Sequence, residues 1–154
     1  MKNKKICVVG AGMWGLNHIK TLNVLGSLGG IVEINEDRIE KIKYDFPNCS
    51  IYGSLDEAIS AKFDGFIIAT PASTHYDLAV KIIKNKKPLL VEKPLTLDSE
   101  SAIKLCNYAQ KMNVKLMVGH VLLFHPAFKK MKQLIKDGKI GEIQYIYSNR
   151  LNLG

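Results

Sequence analysis

The sequence predicts a doubly wound α/β fold, a parallel sheet with helices on both faces. Three observations carry that reading. Short β-branched runs alternate with segments of helical period from the N-terminus to His120. The stretch between one run and the next is mostly long enough to hold a helix, so each strand returns parallel to the last by a right-handed crossover. Finally, "VVGAGMWG", residues 8–15, puts a glycine-rich turn directly between the first apolar run and the first helical segment.

Taken in order, "KICVVG" reads as a buried strand and "WGLNHIKTLNVLG" as a helix with Leu16, Ile19, Leu22 and Leu25 at helical spacing. "GGIVEIN" is a second strand, and "EDRIEKIKYDF" a helix stopped near Pro47. A brief strand "CSIY" follows. In "SLDEAISA", Ser54 precedes Glu57 by three residues, the spacing of a capping box. "FDGFIIAT" is a strand ending at Thr70, "STHYDLAVKIIKN" a helix, "PLLVEK" a strand, "DSESAIKLCNYAQKMN" a helix and "KLMVGH" a strand. After His120 the rhythm changes. "FHPAFKKMKQLIKDGKIG" reads as a helix capped by His125, with Pro126 in its first turn and Gly138 past its end. "EIQYIYSNRLNLG" then alternates at period two, with Ile143, Tyr145 and Tyr147 on one face, and reads as a half-buried strand without a following partner. Residues 1–120 are expected to form one domain. Residues 121–154, a helix plus a strand, are expected to be the truncated start of a second α/β domain.

Composition narrows the function. With 154 residues, 47% of them hydrophobic, the chain has core material for one domain and a fragment of another. Its longest uncharged apolar stretch is far short of the ~20 residues of a membrane span. "MKNKKICVVG" superficially resembles a signal peptide, but its apolar part runs straight into the glycine motif, so a cytoplasmic protein without membrane partners is expected. Cys7, Cys49 and Cys106 are odd in number, far apart and lack a C-x-x-C, which argues against a disulfide framework and a metal site. The formal charge is +8, yet only Arg38 and Arg150 of the 22 basic residues are arginines. The lysines are scattered along helical segments. That pattern lacks the arginine fork favoured in base and phosphate recognition, so no nucleic-acid partner is expected and an anionic ligand is the better use of the charge.

Gly10, Gly12 and Gly15 spell G-x-G-x-x-G between strand and helix, the context of a Rossmann-type dinucleotide cradle. Gly10 permits the tight turn, Gly12 lets the backbone approach a pyrophosphate, and Gly15 allows close helix packing. The N–H groups near Met13 and Trp14 then face the anion at a helix N-terminus. Glu33, at the end of the second strand and 18 residues after Gly15, is placed to accept the adenosine ribose hydroxyls and to oppose a 2′-phosphate, which favours NAD over NADP. Arg38 suits a 2′-phosphate, stacking on adenine or a surface pair. In "ATPASTHY", Thr70, Pro71 and His75 lie at a strand's C-terminal end, where open α/β sheets bind ligands; His75 reads equally well as a polar first-turn helix residue. "VEKPLT" brings Glu92, Lys93 and Pro94 to another strand end. Lys93 there polarises a substrate hydroxyl or assists proton transfer, helped by burial, with a cis bond at Pro94 turning it inward; the alternative is a strand-end turn with an exposed lysine.

The glycine motif, the strand-end acid, "ATP" and above all "EKP", in this order, resemble the glucose–fructose oxidoreductase/inositol dehydrogenase family, Gfo/Idh/MocA, along the whole chain. "VGHVLLFHPAFKKMKQLIKDGKIGEIQYIYSNRLNLG" is similar to the sugar-nucleotide branch of that family, the UDP-N-acetylglucosamine and UDP-N-acetylglucosaminuronic acid 3-dehydrogenases. The resemblance implies NAD-dependent oxidation of a sugar 3-hydroxyl in surface polysaccharide synthesis. It also implies Glu92 at the nicotinamide ribose, Lys93 at the reacting carbon, and Asn149 and Arg150 facing the sugar nucleotide. Family members are usually much longer, with a second domain that supplies a catalytic histidine, binds substrate and makes dimers. His120, at a strand end, is placed to face the cleft but is no obvious substitute. A homo-oligomer formed through the C-terminal strand region is therefore expected, as is a chain that holds NAD without turning over substrate alone. The alternative is an NAD-binding module completed by a separate chain.

Overall fold

The computed structural model describes residues 4–149 and 151. Its centre is β1 (Ile6–Val9), four consecutive apolar residues with neighbours on both edges. Around it β2 (Leu28–Val32), β3 (Ser50–Tyr52), β4 (Gly65–Ile68), β5 (Leu89–Val91) and β6 (Leu116–Val118) form one parallel sheet in the order β3-β2-β1-β4-β5-β6. The chain runs outward from β1 to β3, then restarts on the other side at β4. That reversal leaves a crevice beyond the C-terminal ends of β1 and β4, the usual ligand position in open α/β sheets.

The two-residue period of the strands builds a core on each face. Cys7, Val9, Val32, Phe66 and Ile68 point to one side, where they meet Leu55 and Ala58 of α3 (Leu55–Ser60), Ile82 and Ile83 of α4 (His75–Lys84) and Leu105 of α5 (Ser99–Lys111). Val8, Ile31 and Ile67 point to the other, against Ile19 of α1 (Met13–Val24) and Ile42 of α2 (Glu36–Asp45). Burial, with the nearby Cys49 second, pushes the Cys7 thiol up to about 12, so Cys7 serves as a small apolar residue.

Helix starts follow the local chemistry. Asn35 Oδ1 accepts the Arg38 N–H at 3.0 Å, and Asp98 Oδ1 accepts the Ser101 N–H at 2.7 Å. Ser54 Oγ accepts the Glu57 N–H at 3.3 Å, while Glu57 Oε2 accepts the N–H of Gly53, one residue before the box position, at 3.3 Å.

The chain divides into two units, Met1–Gly119 and His120–Gly154. In the second, α6 (Pro126–Lys136) starts at His125, whose Nδ1 accepts the Ala127 N–H at 3.2 Å, and it buries none of its residues. The strand expected from 142 onward is not formed among the described residues. Residues 142–149 carry no ladder, and Ile143, Tyr145 and Tyr147 are exposed instead of half-buried. Alternation supplies two faces, but a strand also needs a neighbour for its backbone groups, and no described residue of this unit provides one.

Gly29 and Gly30 of β2 lie under an aromatic cluster in which Tyr52 and Phe66 each meet Phe63 edge-on, at 5.8 and 5.9 Å. A Cβ on Gly30 would stand 2.7 Å from Phe63 Cζ and 2.9 Å from Tyr52 Cε2. Gly30→Val is therefore expected to destabilise the chain by about 1–3 kcal/mol through overpacking. Chemical denaturation checks this, as a lower midpoint at unchanged slope.

Candidate functional site

The site begins where β1 ends. Gly10 takes a φ of +90°, and a Cβ there would strike Thr70 Cγ2 at 2.8 Å and the Ala69 carbonyl oxygen at 2.9 Å. A Cβ on Gly15 would fall onto the Gly10 carbonyl oxygen, so the first turn of α1 rests directly on the loop that precedes it. Gly12 differs: a Cβ there meets nothing within 4 Å. It is the N-cap of α1, it offers no side-chain acceptor, and the first turn contains no acidic residue. The first N–H groups of α1, from the exposed Met13 and Trp14 onward, thus have no capping side chain, unlike those of α2, α3 and α5. Open space before an uncapped helix N-terminus fits a pyrophosphate.

Glu33 directly follows β2 and is only 5% exposed. Its Oε2 accepts the Ala11 N–H at 2.8 Å, and its Oε1 accepts those of Ile34 at 2.8 Å and Asn35 at 3.0 Å. Arg38 Nη1 stands 3.7 Å from Oε2. Burial pushes the carboxyl up, but the N–H groups of Asn35, Ala11 and Ile34, with the Arg38 charge, outweigh it and hold the acid below its ordinary value. The expected partner of ribose hydroxyls is thus first a tie between the turns after β1 and β2. Of the roles open to Arg38, the structure records the pair with Glu33. Glu33, Arg38, Leu55, Thr70, Pro71 and Leu78 line a cavity of about 490 Å³, large enough for a flat heterocycle.

Lys93 follows β5 and lines a second cleft, of about 280 Å³, together with Gly12, Met13, Trp14, Arg38, Thr70, Pro71 and Glu92. The Lys93–Pro94 peptide bond is cis. Lys93 is nevertheless exposed, not turned inward, so the burial expected to tune it is absent. His75 takes the second of the two readings open to it, a polar residue in the first turn of α4. It is 1% exposed and lies beneath the cleft, with Nδ1 2.8 Å from the Pro94 carbonyl oxygen and Nε2 2.9 Å from that of Thr70. Two acceptors from two loops draw the ring inward, and it serves both when both nitrogens carry protons. His75 supports the cleft without lining it.

Glu92 is 6% exposed and held at both oxygens: His18 Nε2 lies 2.8 Å from Oε1, and the Lys93 N–H donates to Oε2 at 3.2 Å. Sequence reasoning missed His18 as a site residue. A signal was available, since His18 comes three residues after Gly15 and so shares the face of α1 that packs on the glycine turn. In the second unit, Asn149 is exposed and its Nδ2 donates to Tyr147 Oη at 3.2 Å. His120 is exposed, and Arg150 lies outside the described residues.

Comparison with known proteins places this geometry in context. The model of an oxidoreductase family with an NAD-binding Rossmann fold, Gfo/Idh/MocA, matches residues 4–120. An inositol 2-dehydrogenase of Corynebacterium glutamicum is 31% identical over 147 residues, 92% of this chain and 44% of its own length. A UDP-N-acetylglucosamine 3-dehydrogenase of Acidithiobacillus ferrooxidans is 31% identical over 144 residues, 94% of this chain and 44% of its own. The solved structure of that enzyme superposes with a TM-score of 0.78 over 86% of this chain and 43% of its own, at 31% identity. A crystal structure of GenD2 from gentamicin A biosynthesis, in complex with NAD, superposes with a TM-score of 0.82 at 28% identity, over 90% of this chain and 40% of its own. The chain thus spans less than half the length of these relatives.

Two outcomes follow from the cradle and its tie. Gly12→Val is expected to remain folded, because its Cβ enters open space, and to lose dinucleotide binding; calorimetric titration with NAD beside a thermal melt checks both. Glu33 has a depressed folded pKa, so its contribution to stability is present above the ordinary glutamate value and lost as the pH falls through the folded one. Denaturant midpoints measured from about pH 6 to about pH 3 are therefore expected to fall more steeply for the parent chain than for Glu33→Gln.

Proposed function

The chain belongs to the oxidoreductase family with the NAD-binding Rossmann fold, Gfo/Idh/MocA, and on that footing we propose that it forms the cofactor-holding part of a dehydrogenase that oxidises a sugar nucleotide. The favoured substrate is a UDP-N-acetylhexosamine or its uronic acid, oxidised at the 3-hydroxyl during surface polysaccharide synthesis. One observation carries the reading: Glu92 and Lys93 line the same cleft as Gly12, Met13 and Trp14. A group held at the α1 N-terminus and a substrate at Lys93 would share one space.

The roles follow from the chemistry of each residue. The α1 N–H groups hold the pyrophosphate, with Thr70 and Pro71 as the wall of the cleft. Glu33 and Arg38 flank the adenosine end, and the Glu33 charge favours NAD over its 2′-phosphorylated form. Bound NAD supplies the hydride acceptor. Glu92 accepts from the ribose beside the reacting ring. Lys93 Nζ polarises the substrate hydroxyl or takes its proton. Asn149 and Arg150 are assigned to the sugar nucleotide, the arginine fork suiting a phosphate or carboxylate.

The preference for a sugar nucleotide over a free polyol rests on the resemblance of residues 118–154 to that branch and on the likeness to the Acidithiobacillus ferrooxidans enzyme. The inositol dehydrogenases are equally similar and form the rival reading. Among the described residues no helix is long and apolar enough to cross a membrane. The proposed location is the cytoplasm and the proposed state a homo-oligomer formed through residues 142–154, where Tyr145, Tyr147 and Leu151 are exposed.

These residues alone are proposed to bind NAD without useful turnover, because the second unit buries too little to enclose a sugar and exclude water. The test follows NADH absorbance with UDP-N-acetylglucosamine, its uronic acid and myo-inositol, beside an NAD titration. Saturable NAD binding with negligible NADH formation is the expected result for this chain. In a version extended to the length of its relatives, turnover of a UDP-sugar that Lys93→Ala abolishes is expected. Turnover of myo-inositol alone would transfer the assignment to the rival reading.

A further inference from the structure

We propose that His18 is a positioning residue: its hydrogen bond to Glu92 fixes the carboxylate beside Lys93 and ties the glycine-cradle helix to the reacting end of the cleft. The proposal rests on the reading of Glu92 given above and adds a residue that does not itself face the ligand.

The geometry points to His18 as the principal holder of Glu92. A carboxylate turns easily about its last side-chain bond, so its direction is set by what it touches. The His18 Nε2–Oε1 contact of 2.8 Å lies in the short range of charge-assisted bonds, whereas the Lys93 N–H contact of 3.2 Å lies at the long end of the ordinary range. The third wall is Gly119, where a Cβ would stand 3.0 Å from Cδ and from both oxygens of Glu92. The carboxylate therefore lies against bare backbone on one side and is aimed mainly by the imidazole. Both side chains are largely removed from solvent, at 23% exposure for His18 and 8% for Glu92, so water is a poor replacement for the ring.

The bond also crosses the crevice. His18 stands on the helix that follows β1, while Glu92 follows β5, with β4 between those strands in the sheet. Glu92 lines the cleft, and His18 is not among the residues that line it. The sheet and the glycine turn place α1 and the end of β5, and this hydrogen bond joins the two across β4 at the carboxylate itself.

The experiment compares ligands that share one end. ADP carries the adenosine and the pyrophosphate but lacks the nicotinamide riboside. Calorimetric titrations of the chain with NAD and with ADP are run for the parent, His18→Asn, His18→Gln and Glu92→Gln. The glutamine amide nitrogen reaches the position of Nε2, whereas the asparagine amide stops near that of Nδ1, short of Glu92. His18→Asn is expected to bind ADP within about twofold of the parent while losing about tenfold in NAD affinity, and His18→Gln to recover most of that loss. The double variant His18→Asn/Glu92→Gln is expected to bind NAD no more weakly than Glu92→Gln alone, as two residues acting as one unit require. An unchanged NAD-to-ADP preference in His18→Asn, or an equal loss for both ligands in both His18 variants, would overturn the role of His18 while leaving that of Glu92. A Glu92→Gln variant whose preference for NAD over ADP equals that of the parent would overturn the reading of Glu92 beneath it.

Discussion

The approach of α1 to the turn before it, where Gly15 rests on the Gly10 carbonyl, is the constraint on which the rest of the site depends. No other residue type permits it, because any Cβ at position 15 would occupy the carbonyl's place. The approach brings the first N–H groups of the helix over the end of the central strand. Because the strand order reverses beside that strand, the ends of β4 and β5 arrive at the same crevice from the other side. The cleft is a product of topology and of one missing methyl group, with its polar side chains supplied by the loops.

Those loops are joined by buried polar residues, each of which ties two segments. Glu33 links the turn after β1 to the turn after β2, His75 links the loop after β4 to the one after β5, and Glu92 links α1 to the end of β5. A buried polar group is costly when unpaired, and among the described residues no buried side-chain nitrogen or oxygen lacks a partner. The same groups that would weaken an apolar core here convert separate strand ends into one rigid rim. Exposed residues such as Lys93, Arg38 and Met13 stand on that rim.

The legible part of the molecule was the part governed by local rules. Short β-branched runs marked the six strands of the sheet, Ser54 and His125 announced their caps, and the spacing of Gly10, Gly12 and Gly15 announced the turn. What escaped was decided by partners distant in sequence. His75 reads either as a cleft residue or as a first-turn helix residue; that its ring turns under the cleft depends on the Pro94 carbonyl, 19 residues away. His18 looks like one polar residue of an ordinary helix until Glu92, 74 residues on, is beside it. Glu33 was placed correctly at the strand end, but its saturation by backbone N–H groups depends on how the two turns fold together. The period of residues 143–147 is the same with or without a neighbouring strand, so pattern alone could not say that no ladder forms there.

The bare start of α1 has a thermodynamic consequence. With glycine as its N-cap, the helix forgoes roughly a few tenths of a kcal/mol that Ser, Asp or Asn would contribute. An anion seated on those N–H groups restores it, along with the rest of its binding energy. Occupancy and folding are then linked, and the folded population rises with the logarithm of ligand concentration above its dissociation constant. The lifetime of the chain in a cell would accordingly follow the size of the dinucleotide pool.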